Sequence, residues 1–437
     1  MREVKVIPSK SDAHRAMICA ALAEIQSGLN GDGACRIICD ETSKDMDATA
    51  KCLEALKEAL SGASGAGCGD APGEAEPDSR GGKPGETERT KPAVLMCGES
   101  GSTLRFLLPV TAALGVSGDF MPEGRLPERP LSPLYEEMTA HGCEMSPQGS
   151  VPFKVRGKLE PGKYTLPGNV SSQYITGLLL ALPLLEGDSV IEVTTPLESA
   201  AYVDMTLKVM RDFGMDIGVS GGERPKYMIK GGRRYSATPV YEVEGDWSNA
   251  AFWLAAGALT EEGVKCRGLR GDSVQGDKAV ADILKAMGAN VETGADFVAV
   301  RRGSLHGITV DAGPIPDMIP ALSLVACAAN GETRIVNAGR LRIKESDRLS
   351  SITDVLTGLG ADVTELEDGL VIRGKGSLEG GKADGHNDHR IVMMAAVASL
   401  ISRKPVTIEG AEAVGKSYPA FFDRMREMNL DGNLILK

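Results

Sequence analysis

The sequence predicts an α/β protein with two globular halves, built from six related supersecondary units, three to a half. Two observations carry that expectation. A helix–stop–strand–turn–strand pattern recurs four times at intervals of about 72 to 74 residues, which marks repeated units. A chain of 437 residues, 42% hydrophobic, also exceeds what one core usually organises, so more than one domain is expected.

The four clear copies are "MTAHGCEMSPQGSVPFKVRG" at 138–157, "LKVMRDFGMDIGVSGGERPKYMIKGG" at 207–232, "ADILKAMGANVETGADFVAVRRG" at 281–303 and "TDVLTGLGADVTELEDGLVIRGKG" at 353–376. Each begins as the end of an amphipathic helix. Gly142, Gly214, Gly288 and Gly360 stand where such a helix stops, because glycine tolerates the left-handed conformation of that position. Alternation in "FVAVR" and "LVIRG" suits half-buried strands. A fifth copy is expected upstream, with "DATAKCLEALKEAL" as its helix and "PAVLMCG" as its second strand. Between them, residues 61–92 are low in large apolar residues and read as a flexible insertion. A degenerate sixth copy is expected in "FFDRMREMNLDGNLILK".

Net charge is −12 and the isoelectric point about 5.1, so no global field favours nucleic acid or a membrane surface. Nine cysteines form no C-x-x-C pair and no Cys/His ligand spacing, so no metal site is expected and a reducing cytoplasm is the expected location. No signal-like N-terminal segment is read, and the apolar runs fall short of a bilayer span.

Against that acidic background, "RLRIKESDRL" at 340–349 crowds four cations and two carboxylates into ten positions. Its helix is expected to start within "SDRLSSITDVLTGLG", which would put Lys344 and Arg348 on one face, four residues apart, with Glu345 beside Lys344. Other cations recur where helices should begin. Lys10, Ser11 and Arg15 stand at one start; Ser100, Gly101, Ser102 and Thr103 with Arg105 at a second; Ser171, Ser172 and Gln173 at a third. His389 and Arg390, then Lys416 and Ser417, mark two more. A single Ser or Thr there is an ordinary N-cap. Cations, however, are disfavoured at helix N-termini by the dipole, so their recurrence suggests anion sites. Asp317, in "IPDMIPAL", is expected at a helix start that would hold it as an anion able to act as a base. His14 reads as structural and Glu99 as a solvated loop residue.

The segments "PSKSDAHRA", "GESGSTLR", "LPERPLSPL", "VSSQYITGLL", "IPDMIPAL", "RIKESDRL", "NDHR" and "GKSYPAFF", in this order, resemble the 3-phosphoshikimate 1-carboxyvinyltransferase (EPSP synthase) family over nearly the whole chain. The resemblance implies a two-domain inside-out α/β barrel with six βαβαββ repeats, three per domain. The domains would be 9–243, and 1–8 together with 244–437. It implies transfer of the enolpyruvyl group of phosphoenolpyruvate to the 5-hydroxyl of shikimate 3-phosphate, without metal or cofactor, by a monomer. By motif, Lys10, Ser11, Arg15, Ser171, Ser172, Gln173, Ser199, Tyr202, Asp317, Arg340 and Lys344 would hold shikimate 3-phosphate. Lys10, Gly101, Arg129, Gln173, Arg348, His389, Arg390 and Lys416 would hold phosphoenolpyruvate. Asp317, Glu345, Lys10 and Lys344 would carry the chemistry.

Some positions depart from the family pattern. Pro8, Glu99, Phe106 and Arg340 replace residues common there, and the sequence starts only a few residues before "PSKS", where many members carry another strand first, so one edge of the C-terminal half is expected to be altered. The sister enzyme acting on UDP-N-acetylglucosamine is disfavoured, because Ser11 follows Lys10 and "LPERP" lacks a cysteine. A non-catalytic phosphate-binding scaffold would need the cations but neither Asp317 nor Glu345.

Overall fold

The computed structural model describes residues 1–28, 35–64 and 91–437. The chain opens on β1 (Arg2–Lys5), α1 (Lys10–Ser27), β2 (Arg36–Ile38) and α2 (Lys44–Ser64). A complete unit follows: β3 (Ala93–Gly98), α3 (Gly101–Ala113), β4 (Gly118–Pro122), α4 (Leu134–Ala140), β5 (Cys143–Met145) and β6 (Phe153–Gly157). Its sheet runs β3-β4-β6-β5, with β3 parallel to β4 and the last two strands antiparallel. The same βαβαββ plan returns in β7 (Lys163–Leu166), α5 (Ser172–Ala181), β8 (Ser189–Val193), α6 (Ala200–Asp212), β9 (Gly218–Ser220) and β10 (Lys226–Ile229).

After β11 (Val240–Glu242) come α7 (Trp247–Leu259), β12 (Val264–Arg267), α8 (Ala279–Ala286), β13 (Asn290–Thr293) and β14 (Phe297–Arg301). The next unit is β15 (Thr309–Asp311), α9 (Ile319–Ala328), β16 (Glu332–Val336), α10 (Arg348–Gly358), β17 (Asp362–Leu366) and β18 (Gly369–Arg373). The last is β19 (Gly381–Asp384), α11 (His389–Ala398), β20 (Val406–Glu409), α12 (Phe421–Glu427) and β21 (Leu434–Leu436), whose three strands are all parallel.

Two units borrow their first strand. β1 pairs in parallel with β12, taking the place that β3, β7 and β15 have in their own sheets. β11 pairs in parallel with β2. The altered edge expected from the few residues before "PSKS" is not found: Arg2–Lys5 forms β1, paired along β12. "PAVLMCG" is not the second strand of a hairpin after α2, as the sequence suggested. It is β3, which opens the next unit, because a strand feeding directly into a helix returns parallel to its neighbour. Of the expected insertion at 61–92, residues 61–64 extend α2, and 65–90 lie outside the described residues.

Gly142, Gly214, Gly288 and Gly360 have φ of +88°, +78°, +94° and +95°. Each follows the cap residue of its helix. At Gly142 a Cβ would stand 2.7 Å from the Lys158 carbonyl oxygen, so the site excludes a side chain sterically as well as conformationally.

Helices α7, α9 and α11 are buried nearly all round, as are α3 and α5. Such helices belong inside a core. The sheets lie outside them and show alternate residues to solvent, as in β3, where Val94 and Met96 are exposed. The arrangement is thus inside-out, with helices central. Buried apolar residues form two clusters. One spans Ala13 to Val243; the other joins Val4, Val6 and Ile7 to residues from Trp247 to Leu430. The chain passes between them twice, side by side: the Ser9 amide donates to Glu244 O (2.7 Å) and the Asp246 amide to Ile7 O (2.9 Å).

Candidate active site

Several helices aim their N-termini at the space between the two clusters. Ser9 caps α1, which places Lys10 in the first turn. The Lys10 ammonium bonds Asp45 Oδ2 at 2.9 Å. Burial opposes its charge, but Asp45 and Glu345 outweigh burial and hold its pKa above the ordinary value. Ser100 caps α3, so Gly101 opens that helix; a Cβ there would lie 2.6 Å from Arg105 Nη1 and 3.0 Å from Arg129 Nη1. Ser171 caps α5. Gln173 then donates to Ser102 Oγ (3.0 Å) and accepts from Arg105 Nη1 (3.2 Å).

The opposite wall centres on Arg348, which is fully buried. Nε donates to Asp388 Oδ2 (2.8 Å), Nη1 to Asp317 Oδ1 (2.8 Å) and Nη2 to Glu345 Oε2 (2.7 Å). The expected helix start is corrected by this geometry. Asp347 caps α10 by accepting from the Ser350 amide, so the helix begins at Arg348 and not at Ser346. Lys344 lies in extended backbone before it, so the two cations do not share a helix face. They converge on Asp317 instead, Lys344 Nζ standing 3.4 Å from Oδ1. Arg390 Nη2 reaches Asp317 Oδ2 at 3.1 Å.

Asp317 precedes α9 in a short 3₁₀ turn, so the helix is not what holds it ionised. Burial would raise its pKa, yet Arg390, Lys344 and Arg348 together hold it well below the carboxylate range. Glu345 follows the same logic: burial is overcome by Arg129 and Arg348, and its pKa also falls well below the usual value. Burial lowers Lys344 to about 8 despite Asp317, with Arg340 and Arg348 adding repulsion. Burial and Lys10 push His389 down to about 3, and neither of its ring nitrogens has a partner.

These groups line one cleft. It gathers Lys10, Ser11, Arg15, Gly101, Arg129, Ser171, Ser172, Gln173, Ser199, Tyr202, Asp317, Arg340, Lys344, Glu345, Arg348, His389 and Arg390. Arg340 Nη1 donates to Ser199 Oγ at 2.9 Å and pairs with Glu198 at 3.4 Å. The Tyr202 hydroxyl lies 3.2 Å from both Asp317 Oδ2 and Asp277 Oδ2. Arg15 lines the cleft but turns donors inward, to Thr206 Oγ1 (2.8 Å) and Tyr202 O (2.9 Å).

Lys416 is set apart. It is buried, bonds Glu99 Oε2 (2.8 Å) and Asn387 O (2.6 Å), and does not line this cleft. Glu99 is correspondingly not the solvated loop residue expected. His14 is structural as read, its Nδ1 2.7 Å from Thr49 Oγ1.

Arg105, read from the sequence as a cation at a helix start but assigned to neither substrate, also lines the cleft. Arg105 is buried, with its guanidinium on Gln173 and on Pro130 O (3.1 Å). Burial and then Arg129 lower its pKa to about 10. The available signal was its spacing of one helical turn from Gly101. Asp45 and Asp388, which hold Lys10 and Arg348, could be read only as helix-start acids.

Eight cations face four carboxylates in this lining, inside a chain of charge −12. A pocket of that composition, with buried proton-carrying groups among fixed positive charges, defines an enzyme of anionic small molecules built on a two-lobed inside-out α/β frame. The family model described as EPSP synthase (3-phosphoshikimate 1-carboxyvinyltransferase) matches residues 1–425, and the chain belongs to that family. Curated relatives bearing the name 3-phosphoshikimate 1-carboxyvinyltransferase include that of Clostridium kluyveri, 41% identical over 98% of this chain and 94% of its own. Another is that of Clostridioides difficile, 40% identical over 96% and 93%. Among solved structures, EPSP synthase from Acinetobacter baumannii superposes with a TM-score of 0.72 at 26% identity, covering 98% of this chain and 95% of that one. The chain is thus a transferase of the shikimate pathway whose reaction is enolpyruvyl transfer.

Proposed function

We propose that the cleft binds shikimate 3-phosphate and phosphoenolpyruvate together and joins them by addition and elimination. The observation that carries this reading is a cleft lined by eight cations from both lobes, four of which, Arg129, Lys344, Arg348 and Arg390, pair with Asp317 or Glu345. Each substrate brings a phosphate and a carboxylate. At an effective dielectric near 20, a cation 4 Å from an anion is worth about 4 kcal/mol before desolvation, so the cations dominate binding and the helix ends aim it. Ser11, Arg15, Ser171, Ser172, Gln173, Ser199, Tyr202, Arg340 and Lys344 take the shikimate side. Lys10, Gly101, Arg129, Arg348, His389 and Arg390 take the phosphoenolpyruvate side, with Lys416 at its edge.

In the addition step the 5-hydroxyl oxygen bonds to C2 of phosphoenolpyruvate, and its proton passes to Asp317. A proton from Glu345 goes to the C3 methylene. In the elimination step the C2–O bond to phosphate breaks, and the C3 proton returns to Glu345. The proton on Asp317 balances the departing phosphate. Glu345 begins as an anion because Arg129 and Arg348 hold it so. Substrate anions arriving on those two guanidiniums compensate their field, which raises the Glu345 pKa toward proton-carrying range. His389 stays neutral and contributes a hydrogen bond.

The lobes 9–243, and 1–8 with 244–437, act as two domains about the double crossing at Pro8 and Gly245, as a cytoplasmic monomer independent of nucleic acid. Small-angle scattering with shikimate 3-phosphate should show compaction; an unchanged radius of gyration counts against closure. The deciding experiment is phosphate release. Release is expected only when both substrates are present, and release with UDP-N-acetylglucosamine in place of shikimate 3-phosphate would overturn the reading.

A further inference from the structure

Lys416 and Glu99 come from opposite lobes and meet outside the cleft lining, each helix start between them carrying a lining residue, Gly101 or His389. Glu99 directly precedes Ser100 and Gly101, the cap and first residue of α3. Asn387 directly precedes Asp388, His389 and Arg390, the cap and first turn of α11. Three bonds close a ring between these two helix starts: Lys416 Nζ to Glu99 Oε2 (2.8 Å), Asn387 Nδ2 to the same oxygen (2.9 Å) and Lys416 Nζ to Asn387 O (2.6 Å). The lysine side chain is 9% exposed and the glutamate 29%.

The backbone around the ring is shaped for it. His386 and Asn387 both have left-handed φ, +48° and +49°, which turns the Asn387 carbonyl and amide to the same partner pair. Gly124 has φ of +55°, and a Cβ there would lie 2.6 Å from the Glu99 carboxyl carbon, so this glycine leaves the room that the carboxylate occupies. Glu99 is therefore a placed anion, not a stray surface charge.

We propose that Glu99 is a specificity-determining residue that occupies Lys416 as an internal counter-anion, so that phosphoenolpyruvate must displace it to engage that lysine. The inference rests on the functional reading above. Lys416 has three protons, and two are directed at Glu99 and Asn387 O. An incoming phosphate or carboxylate competes with Glu99 for the same ammonium, and its net gain is the difference between two charge-assisted bonds. The shikimate side, at Ser171, Ser199 and Arg340, has no contact with this ring and does not feel the competition.

The test is steady-state kinetics of Glu99→Gln in the full chain, with each substrate varied separately. Gln removes the charge and keeps the side-chain length. The KM for phosphoenolpyruvate should fall at least threefold, while that for shikimate 3-phosphate changes less than twofold. Asn387→Gly keeps the left-handed backbone but removes the amide that steadies Glu99, and should lower the same constant in the same direction. If Glu99 only ties the lobes together, both constants rise in both variants. That result, or an unchanged constant for phosphoenolpyruvate, overturns the inference. A wild-type chain that releases no phosphate from the two substrates would instead sink the functional reading itself.

Discussion

Arg348 is the residue whose removal tests the architecture of the cleft most directly. Its guanidinium is buried and answers three carboxylates at 2.7 to 2.8 Å. The variant Arg348→Met fills a similar volume without charge. Asp317 would retain Lys344 and Arg390, and Glu345 would retain Arg129. Asp388, wholly buried, would keep only Ser346 Oγ, the Arg390 amide and the neutral His389 beside it. Removing one partner from a buried pair typically costs about 3–5 kcal/mol. With a cooperative unit of roughly 200 residues, each kcal/mol lowers Tm by about 2–4 °C, so a loss on the order of 10 °C is expected near pH 7.5.

The pH dependence of that loss has a definite sign. Asp317, Glu345 and Asp388 all have folded-state pKa values held below their ordinary ones. Their stabilisation is full above the unfolded carboxylate values, about 4, and fades as pH falls through the folded ones. Removing Arg348 cancels that benefit only where it exists. The gap between wild type and variant should therefore stay constant from pH 7.5 to about pH 4.5 and narrow only as pH falls below about 4, read by differential scanning calorimetry. A variant within 2 °C of wild type, or a gap that widens in acid, refutes Arg348 as the charge anchor of this wall.

Other perturbations give separate readouts. Glu345→Ala should keep both substrate affinities within about tenfold while lowering kcat at least about 10²-fold; near-normal turnover would remove Glu345 from proton transfer. Lys344, lowered to about 8, loses its charge as pH rises through that value, so kcat/KM for shikimate 3-phosphate should bend down above about pH 8. A profile flat to pH 9.5 would show that Lys344 does not bind that substrate as a cation. Gly101→Ala would put a methyl against two guanidiniums that Gln173, Pro130 O and Glu345 already hold, and should raise the KM for phosphoenolpyruvate about tenfold. No rise would mean that Arg105 and Arg129 yield freely.

What the sequence disclosed follows from what is local. Gly142, Gly214, Gly288 and Gly360 were legible because a helix ending in left-handed backbone asks for glycine within a single turn. The helix starts at Lys10, Gly101 and Ser172 were legible from their caps. Long-range pairing was not. Nothing near Arg2–Lys5 announces that its partner is Val264–Arg267. Glu99 looked solvated because Lys416 stands 317 residues away in the chain. The start of α10 was placed two residues early, at Ser346, because the sequence does not show which polar residue there is the cap; Asp347 is, by accepting from the Ser350 amide. Arg105 was read as a helix-start cation but assigned to neither substrate, because nothing local shows that Gln173 from another helix covers it.

The exchange of first strands has a consequence for biosynthesis. β1 leaves the ribosome well before Val264–Arg267, the strand it must pair with, which follows about 260 residues later. At roughly 5–20 residues per second, that is on the order of tens of seconds during which a short, bondless ribbon waits beside a lobe that can already form around it. Its own lobe cannot take up the segment until α7 and β12 have been made. Arg2–Lys5 should therefore remain open to amide exchange in ribosome-bound chains stalled before Val264, and gain protection in chains that extend past Arg267.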